Sequence, residues 1–237
     1  MEPQVFFITG ASQGLGAELA RLYAAQSARL VLTARNAQAL DAIARELRPL
    51  TEVLAIAGDV ADDEHVIALV NAALGRFERI DVLINNASTL GVSPMPALEQ
   101  LEPSTFGRLM DVNVRAPLHI AQLLLPRMRA RGSGLIVNVS SDAAVQAYAG
   151  WGGYGASKAA LEHLSCILAA ELEGTGVRVM VVDPGNMNTK MHRDAEPGVD
   201  LSGLPHPREI AALMARAIAN AAEPFERVEV AALVSRV

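Results

Sequence analysis

Cysteine is nearly absent: the chain of 237 residues holds one, Cys166. A single thiol cannot close an internal disulfide, so nothing points to an oxidising compartment. It sits in the apolar helical stretch LEHLSCILAAEL, which predicts buried packing rather than a reactive nucleophile. Aromatic residues make up only 4%, although 51% of the chain is hydrophobic. The core must therefore be built from Ala, Val and Leu, which suits parallel strands covered by Ala-rich helices. There is no dense run of Lys and Arg, and the formal net charge is −6. Nucleic acid and anionic membranes are excluded as expected partners on that ground. No apolar run reaches the roughly 18–20 residues of a membrane span. The opening MEPQVFFITG lacks the charged and apolar regions of a signal peptide. A soluble, cytoplasmic protein is the expectation. His119, His163, His192 and His206 form no H-x-x-x-H pair, so no metal site is expected.

What is present is a regular alternation. Short apolar runs predict strands at Val5–Thr9, Leu30–Ala34, Val53–Ala57, Val82–Asn85, Leu135–Val139, Val177–Val182 and Val228–Leu233. Between them, helical patterns cover Ala17–Gln26, Ala37–Leu47, Asp62–Phe77, Pro103–Arg131, Tyr154–Glu173 and Pro207–Asn220. Asp62 can cap its helix, Pro207 suits a first turn, and Gly174 and Gly176 end the long helix before them. The expected fold is α/β: a single doubly wound parallel sheet of Rossmann type with helices on both faces. The length suits one domain over residues 1–237. The loosest stretch, about residues 190–207 and rich in Pro and Gly after Arg193, is expected to be a mobile substrate loop.

The first strand runs into Thr9-Gly10-Ala11-Ser12-Gln13-Gly14-Leu15-Gly16, and a helix follows. Glycines there let the backbone approach a pyrophosphate, whose charge the helix N-terminus favours. Gly10, Ser12, Gln13, Gly14, Leu15 and Gly16 are thus candidate dinucleotide contacts. The spacing is G-x-x-x-G-x-G, not G-x-G-x-x-G. The second strand ends without an acid, in Thr33-Ala34-Arg35-Asn36. NAD binders place an acid there for the ribose 2′-OH, so Arg35 is the candidate for a 2′-phosphate, the competing reading being a solvated surface Arg. NADP(H) is the expected cofactor, with NAD(H) as the alternative. Asp59 and Val60 follow the third strand, where they would border the adenine. Asn86 and Ala87 follow the fourth, at the carboxyl edge where open sheets bind ligands.

Tyr154 and Lys158 occur in Tyr-Gly-Ala-Ser-Lys, four apart on one helix face. A free phenol titrates near 10. A neighbouring ammonium would favour the phenolate and tune Tyr154 as a general acid or base. Ser141 follows the fifth strand, 13 residues before Tyr154, and its hydroxyl could hold a substrate oxygen; Ser140 competes for that role. Asn113 lies within a helical region, where Asn is a poor helix former and often has a local reason.

These pieces, taken in order, resemble the short-chain dehydrogenase/reductase family. The glycine turn, Asp59, Asn85-Asn86-Ala87, Asn113, Ser141, Tyr154, Lys158 and Asp183-Pro184-Gly185 with Thr189 all match its pattern, from Val5 to about Leu233. The resemblance implies the strand order 3-2-1-4-5-6-7 and a tetrad of Asn113, Ser141, Tyr154 and Lys158. Ser141 would orient the substrate oxygen and Tyr154 would exchange its proton. Lys158 would bind the nicotinamide ribose and lower the Tyr pKa, and Asn113 would hold a water linking Lys158 to solvent. Pro184, Gly185, Met187 and Thr189 would border the nicotinamide. The implied activity is reduction of a small ketone or aldehyde to an alcohol. The alternatives are an NAD-dependent alcohol dehydrogenase or a dinucleotide-binding sensor without turnover. A homodimer or homotetramer built from the Asn113 and Tyr154 helices is also implied. Three departures stand out. The usual Asn-Asn-Ala-Gly reads Asn-Asn-Ala-Ser, so that Ser88 would narrow the space near the nicotinamide. The often basic position before Gly14 is Gln13. The chain ends at Val237, where the family often continues with a glycine-rich tail. Specificity is expected in Ser88–Ala97, Ala143–Gly153 and Met187–Pro207.

Overall fold

The structure is a computed structural model that describes residues 3–231. Seven strands form one sheet in the order β3-β2-β1-β4-β5-β6-β7, and every pairing is parallel. The strands are β1 (Val5–Thr9), β2 (Arg29–Thr33), β3 (Val53–Ala55), β4 (Val82–Asn85), β5 (Gly134–Val139), β6 (Val177–Asp183) and β7 (Phe225–Glu229). The helices are α1 (Gly14–Ala25), α2 (Ala37–Leu47), α3 (Asp63–Phe77), α4 (Pro103–Met110), α5 (Ala116–Arg131), α6 (Gly152–Glu171), α7 (Lys190–Ala195) and α8 (Pro207–Asn220). This is the doubly wound, Rossmann-type α/β fold expected from the alternation.

Successive residues of β1 feed opposite sides of the sheet. Phe6 and Ile8 pack in one core layer with Leu19, Leu40 and Met214 of α1, α2 and α8. Val5 and Phe7 pack in the other with Leu69, Ile120 and Ala169 of α3, α5 and α6. Both layers are mostly aliphatic, as the scarcity of aromatics requires. No helix among the described residues is long and apolar enough to cross a membrane.

Several boundaries differ from expectation. The run Pro103–Arg131 is not one helix: a wide π turn at Asp111–Arg115 separates α4 from α5, and Ala116 N donates to Asp111 O. Pro117 explains the break, because it has no N–H to give the Asn113 carbonyl four residues back. The last strand lies upstream of the predicted Val228–Leu233. Its register pairs Phe225 with Val179 and Glu229 with Asp183. Val230 and Ala231 are already helical, and positions 232 and 233 lie outside the described residues. An edge strand with one side open accepts Glu226 and Arg227, so the apolar run misplaces it. β3 is shorter than Val53–Ala57, ending at Ala55. Part of the predicted loop at 190–207 is helical as α7, whose first turn Thr189 caps by accepting from His192 N. Cys166 is exposed, not buried. α6 turns Leu161, Ser165 and Ala169 inward, which places position 166 on the outer side.

Candidate active site

Four hydrogen bonds bring the carboxyl ends of β1 and β4 together. Thr9 Oγ1 accepts from Asn86 N at 3.0 Å and Ala87 N at 2.9 Å. Asn86 Nδ2 donates to Thr9 O at 2.9 Å and Gly10 O at 3.2 Å. The glycine turn is moulded around this junction. Gly10 has φ +68°, and a Cβ there would lie 2.9 Å from Ala87 Cα. A Cβ on Gly16 would stand 2.4 Å from Gly10 O and 2.5 Å from Asn86 Nδ2. Only backbone without side chains fits here. The turn leaves an open cradle before the N-terminus of α1, with Thr189 of the opposite wall 3.5 Å from where a Gly14 Cβ would be.

The cradle is one end of a cleft of about 1120 Å3 along the carboxyl ends of the strands. Gly10, Ser12, Gln13, Gly14 and Leu15 line it, as do Arg35, Asp59, Val60, Asn86, Ala87, Pro184, Gly185, Met187 and Thr189. Of the expected cofactor contacts only Gly16 lies behind the surface, where close packing is its role. The cleft's shape and donors therefore suit a dinucleotide. Arg35 is exposed beside Asn36, whose side chain caps α2 by accepting from Ala39 N at 3.0 Å. Arg108, which no sequence signal marked, pairs with Asp59 at the cleft wall. Burial works against the Asp59 charge, but the Ala61 N–H and Arg108 outweigh it and hold the carboxyl below its ordinary range.

At the other end of the cleft stand Ser141, Tyr154 and Lys158. Ser140 is not the substrate-facing hydroxyl: it is buried and donates to Glu162 Oε1 at 2.6 Å. Ser88 and Ser141 line the cleft with Tyr154, and their hydroxyls favour the charged form of its phenol. The Tyr154 ring packs edge-on to Trp151, 5.8 Å between centroids. Lys158 Nζ lies over the same ring, 5.6 Å from its centroid, and donates to Val139 O at 2.7 Å.

The expected lowering of the Tyr154 pKa by Lys158 is not what this geometry produces. Burial pushes the phenol well above its ordinary value, Asp183 and Asp142 push the same way, and Ser88 and Ser141 oppose them. Lys158 is itself almost fully buried, which pulls its ammonium down to about 8 against the nearby Glu162 carboxylate. A partly neutralised amine above the ring face is a weak partner for a phenolate.

The Lys158 shift has a stability consequence. Between about pH 8 and the ordinary lysine range, the unfolded chain binds a proton that the folded chain refuses. Stability should rise with pH across that window, and the full cost of burying the ammonium is present below it. Relief of that burial is worth roughly 3 kcal/mol, and the lost bond to Val139 O returns about 1–2 kcal/mol of it. Lys158→Met is thus expected to stabilise the protein at neutral pH by about 1–2 kcal/mol while removing turnover. Denaturant unfolding at neutral pH measures this; a less stable variant would mean the Val139 bond dominates.

Asn113 stands behind Tyr154 in the π turn, not in the cleft wall. All four hydrogen-bonding positions of its side chain are taken. Oδ1 accepts from Ser88 Oγ at 3.0 Å and Thr89 N at 2.9 Å. Nδ2 donates to Thr89 O at 3.0 Å and Ser157 Oγ at 2.9 Å. Its side-chain amide therefore has no capacity left for a water. Its main-chain carbonyl has no donor in Pro117, four residues on. The specificity loops are mixed in character: Leu90, Val92, Trp151 and Met191 share the wall with Lys190 and Arg193. Among the described residues no cluster of metal-ligating side chains occurs.

A family model described as short chain dehydrogenase matches residues 4–200. The chain is similar to a 2-(R)-hydroxypropyl-CoM dehydrogenase of Xanthobacter autotrophicus, 35% identical over 190 residues, 79% of this chain and 76% of that one. It is 40% identical over 185 residues to a sulfoacetaldehyde reductase of Chromohalobacter salexigens, 78% of this chain and 72% of the relative. Among solved structures it is similar to a metagenomic short-chain oxidoreductase in complex with NADP. That match has a TM-score of 0.80 and 32% identity, covering 95% of each chain.

Proposed function

Because the chain belongs to the short-chain dehydrogenase/reductase family, oxidoreductases acting on CH–OH and C=O groups, we propose that it uses NADP(H) to reduce a ketone or aldehyde, with Tyr154 as proton donor. The observation that carries this reading is the placement of Tyr154, Ser141 and Lys158 in one cleft with the glycine cradle. A nicotinamide cofactor held in the glycine cradle would supply the hydride for the carbonyl carbon. Ser141 Oγ, which accepts from Ala143 N at 3.2 Å, orients the substrate oxygen. Tyr154 releases its proton to that oxygen as negative charge develops. Its raised pKa means that the resting phenol holds the proton that reduction requires. Lys158 spends one N–H on Val139 O and keeps two for ribose hydroxyls. The Asn113 carbonyl would hold a water that returns protons from solvent through Lys158.

Arg35 takes the 2′-phosphate in this reading, and the NADP complex of a relative supports that choice. Arg35→Ala should weaken NADPH binding by about 10- to 100-fold, the worth of a charge-assisted hydrogen bond, and leave NADH binding nearly unchanged. Fluorescence titration with both cofactors measures it; equal NADPH affinity in the variant would return the assignment to NAD. A panel of aldehydes and ketones followed by NADPH absorbance tests the activity, and binding without turnover of any of them would favour a sensor. Assembly as a homodimer or homotetramer is part of the reading, supported by the exposed Cys166 and Ile167 on α6.

A further inference from the structure

The departure at Ser88 acquires a meaning from its partners. A run of hydrogen bonds leaves Tyr154 by its main chain and ends at Ser88, which lines the cleft together with the phenol. Ser157 Oγ donates to Tyr154 O at 2.7 Å, and Asn113 Nδ2 donates to Ser157 Oγ at 2.9 Å. Ser88 Oγ then bonds Asn113 Oδ1 at 3.0 Å. The direction of each bond is determined. Thr89 offers Asn113 both an N–H and a carbonyl, so the amide cannot be flipped. Asn113 Oδ1 can only accept, so the Ser88 hydroxyl must donate to it at rest. The lone pairs of Ser88 Oγ are then left for the phenol O–H.

We propose that Ser88 is a positioning residue for the proton step, a hydroxyl rotor that accepts from neutral Tyr154 and swings to donate to it once the phenol has given up its proton. The swing leaves no buried acceptor stranded, because Asn113 Oδ1 keeps the Thr89 N–H at 2.9 Å. A glycine at this position has no hydroxyl for either task, so the phenolate there would lean on the Ser141 side alone. The charged groups that bear on the phenol are Lys158 on its own helix, Asp142 after β5 and Asp183 at the end of β6. None of them is altered by a change at Ser88. The inference rests on the reading of Tyr154 as the proton-transfer residue.

The test is the pH profile of alcohol oxidation, which rises as the phenolate forms. Donation to the charged form lowers a phenol's pKa, so its loss must move the profile to higher pH. Ser88→Ala and Ser88→Gly should each move it up by about one pH unit, the usual worth of a hydrogen bond to a charged group. Ser88→Thr, which keeps the hydroxyl, should restore the wild-type profile. NMR titration of ring-labelled tyrosine with oxidised cofactor bound should report the same displacement without turnover, the Tyr154 signal being assigned by its loss in Tyr154→Phe. An unmoved profile in Ser88→Ala overturns the proposal, and so does an equal displacement in the Thr variant, which would indicate packing alone. If Tyr154→Phe itself keeps turnover, it is the reading of Tyr154 that has failed.

Discussion

Tyr154→Phe should reduce kcat for carbonyl reduction by about 100- to 10,000-fold, the usual contribution of one positioned acid. NADPH should bind nearly as well as before. The expectation follows from what the ring does apart from its oxygen. Its edge contact with Trp151 at 5.8 Å and its place beside Leu109 and Ala143 survive the change. What is lost is the O–H that faces Ser88 and Ser141. No neighbour can stand in for it. Lys158 Nζ is tied to Val139 O and lies over the ring face rather than at its tip. Ser141 is held by Asp142 Oδ1 at 2.9 Å, and a serine hydroxyl is a far weaker acid than a phenol. Steady-state kinetics beside a cofactor titration separate the two quantities. Turnover within a few-fold of wild type would remove Tyr154 from the mechanism.

Gly16→Ala should be nearly as damaging, by a different route. The added methyl would meet Gly10 O at 2.4 Å and Asn86 Nδ2 at 2.5 Å, both part of the junction that holds β1 to β4. Neither can yield as the end of a flexible side chain would. Gly10 O is backbone, and Asn86 Nδ2 is fixed by its bonds to Thr9 O and Gly10 O. The loop must shift, at a cost of about 2–4 kcal/mol from strain and broken hydrogen bonds. The melting temperature should fall by roughly 5–10 °C for a chain of this size. The cradle moves with the loop, so NADPH affinity should drop by two orders of magnitude or more. Calorimetry and a binding titration read the two effects. A variant that melts and binds like wild type would mean that the turn is not the rigid seat described.

The sheet and the cleft were largely legible in the sequence, because buried parallel strands leave continuous apolar runs and strand ends leave Gly, Asn and Asp. The strand order came from resemblance, not from composition. Other readings failed for physical reasons. Hydrophobic pattern carries no hydrogen-bond register, so it ran Pro103–Arg131 together across the π turn and slid the edge strand downstream of Phe225–Glu229. An apolar helix suggested a buried Cys166, but burial is decided by which side of α6 faces the sheet. The acidity of Tyr154 was judged from the charge of Lys158, whereas the balance turns on how deeply both groups are buried. Ser88 was visible as a departure from pattern, yet its partner Asn113 lies 25 positions away and only the folded chain brings them together.

The π turn also limits what the chain tolerates in length. Each residue advances a helix by about 100°, so the widened turn at Asp111–Arg115 acts as a spacer that aims Asn113 at Ser157 and Ser88. Deleting one residue there would tighten the wide turn, although Pro117 would still leave one hydrogen bond unmade. It would also swing the amide away from both serines and unfasten the backing of the phenol. Regularity and alignment are opposed at this point, and a redesign that smooths the helix would discard the alignment.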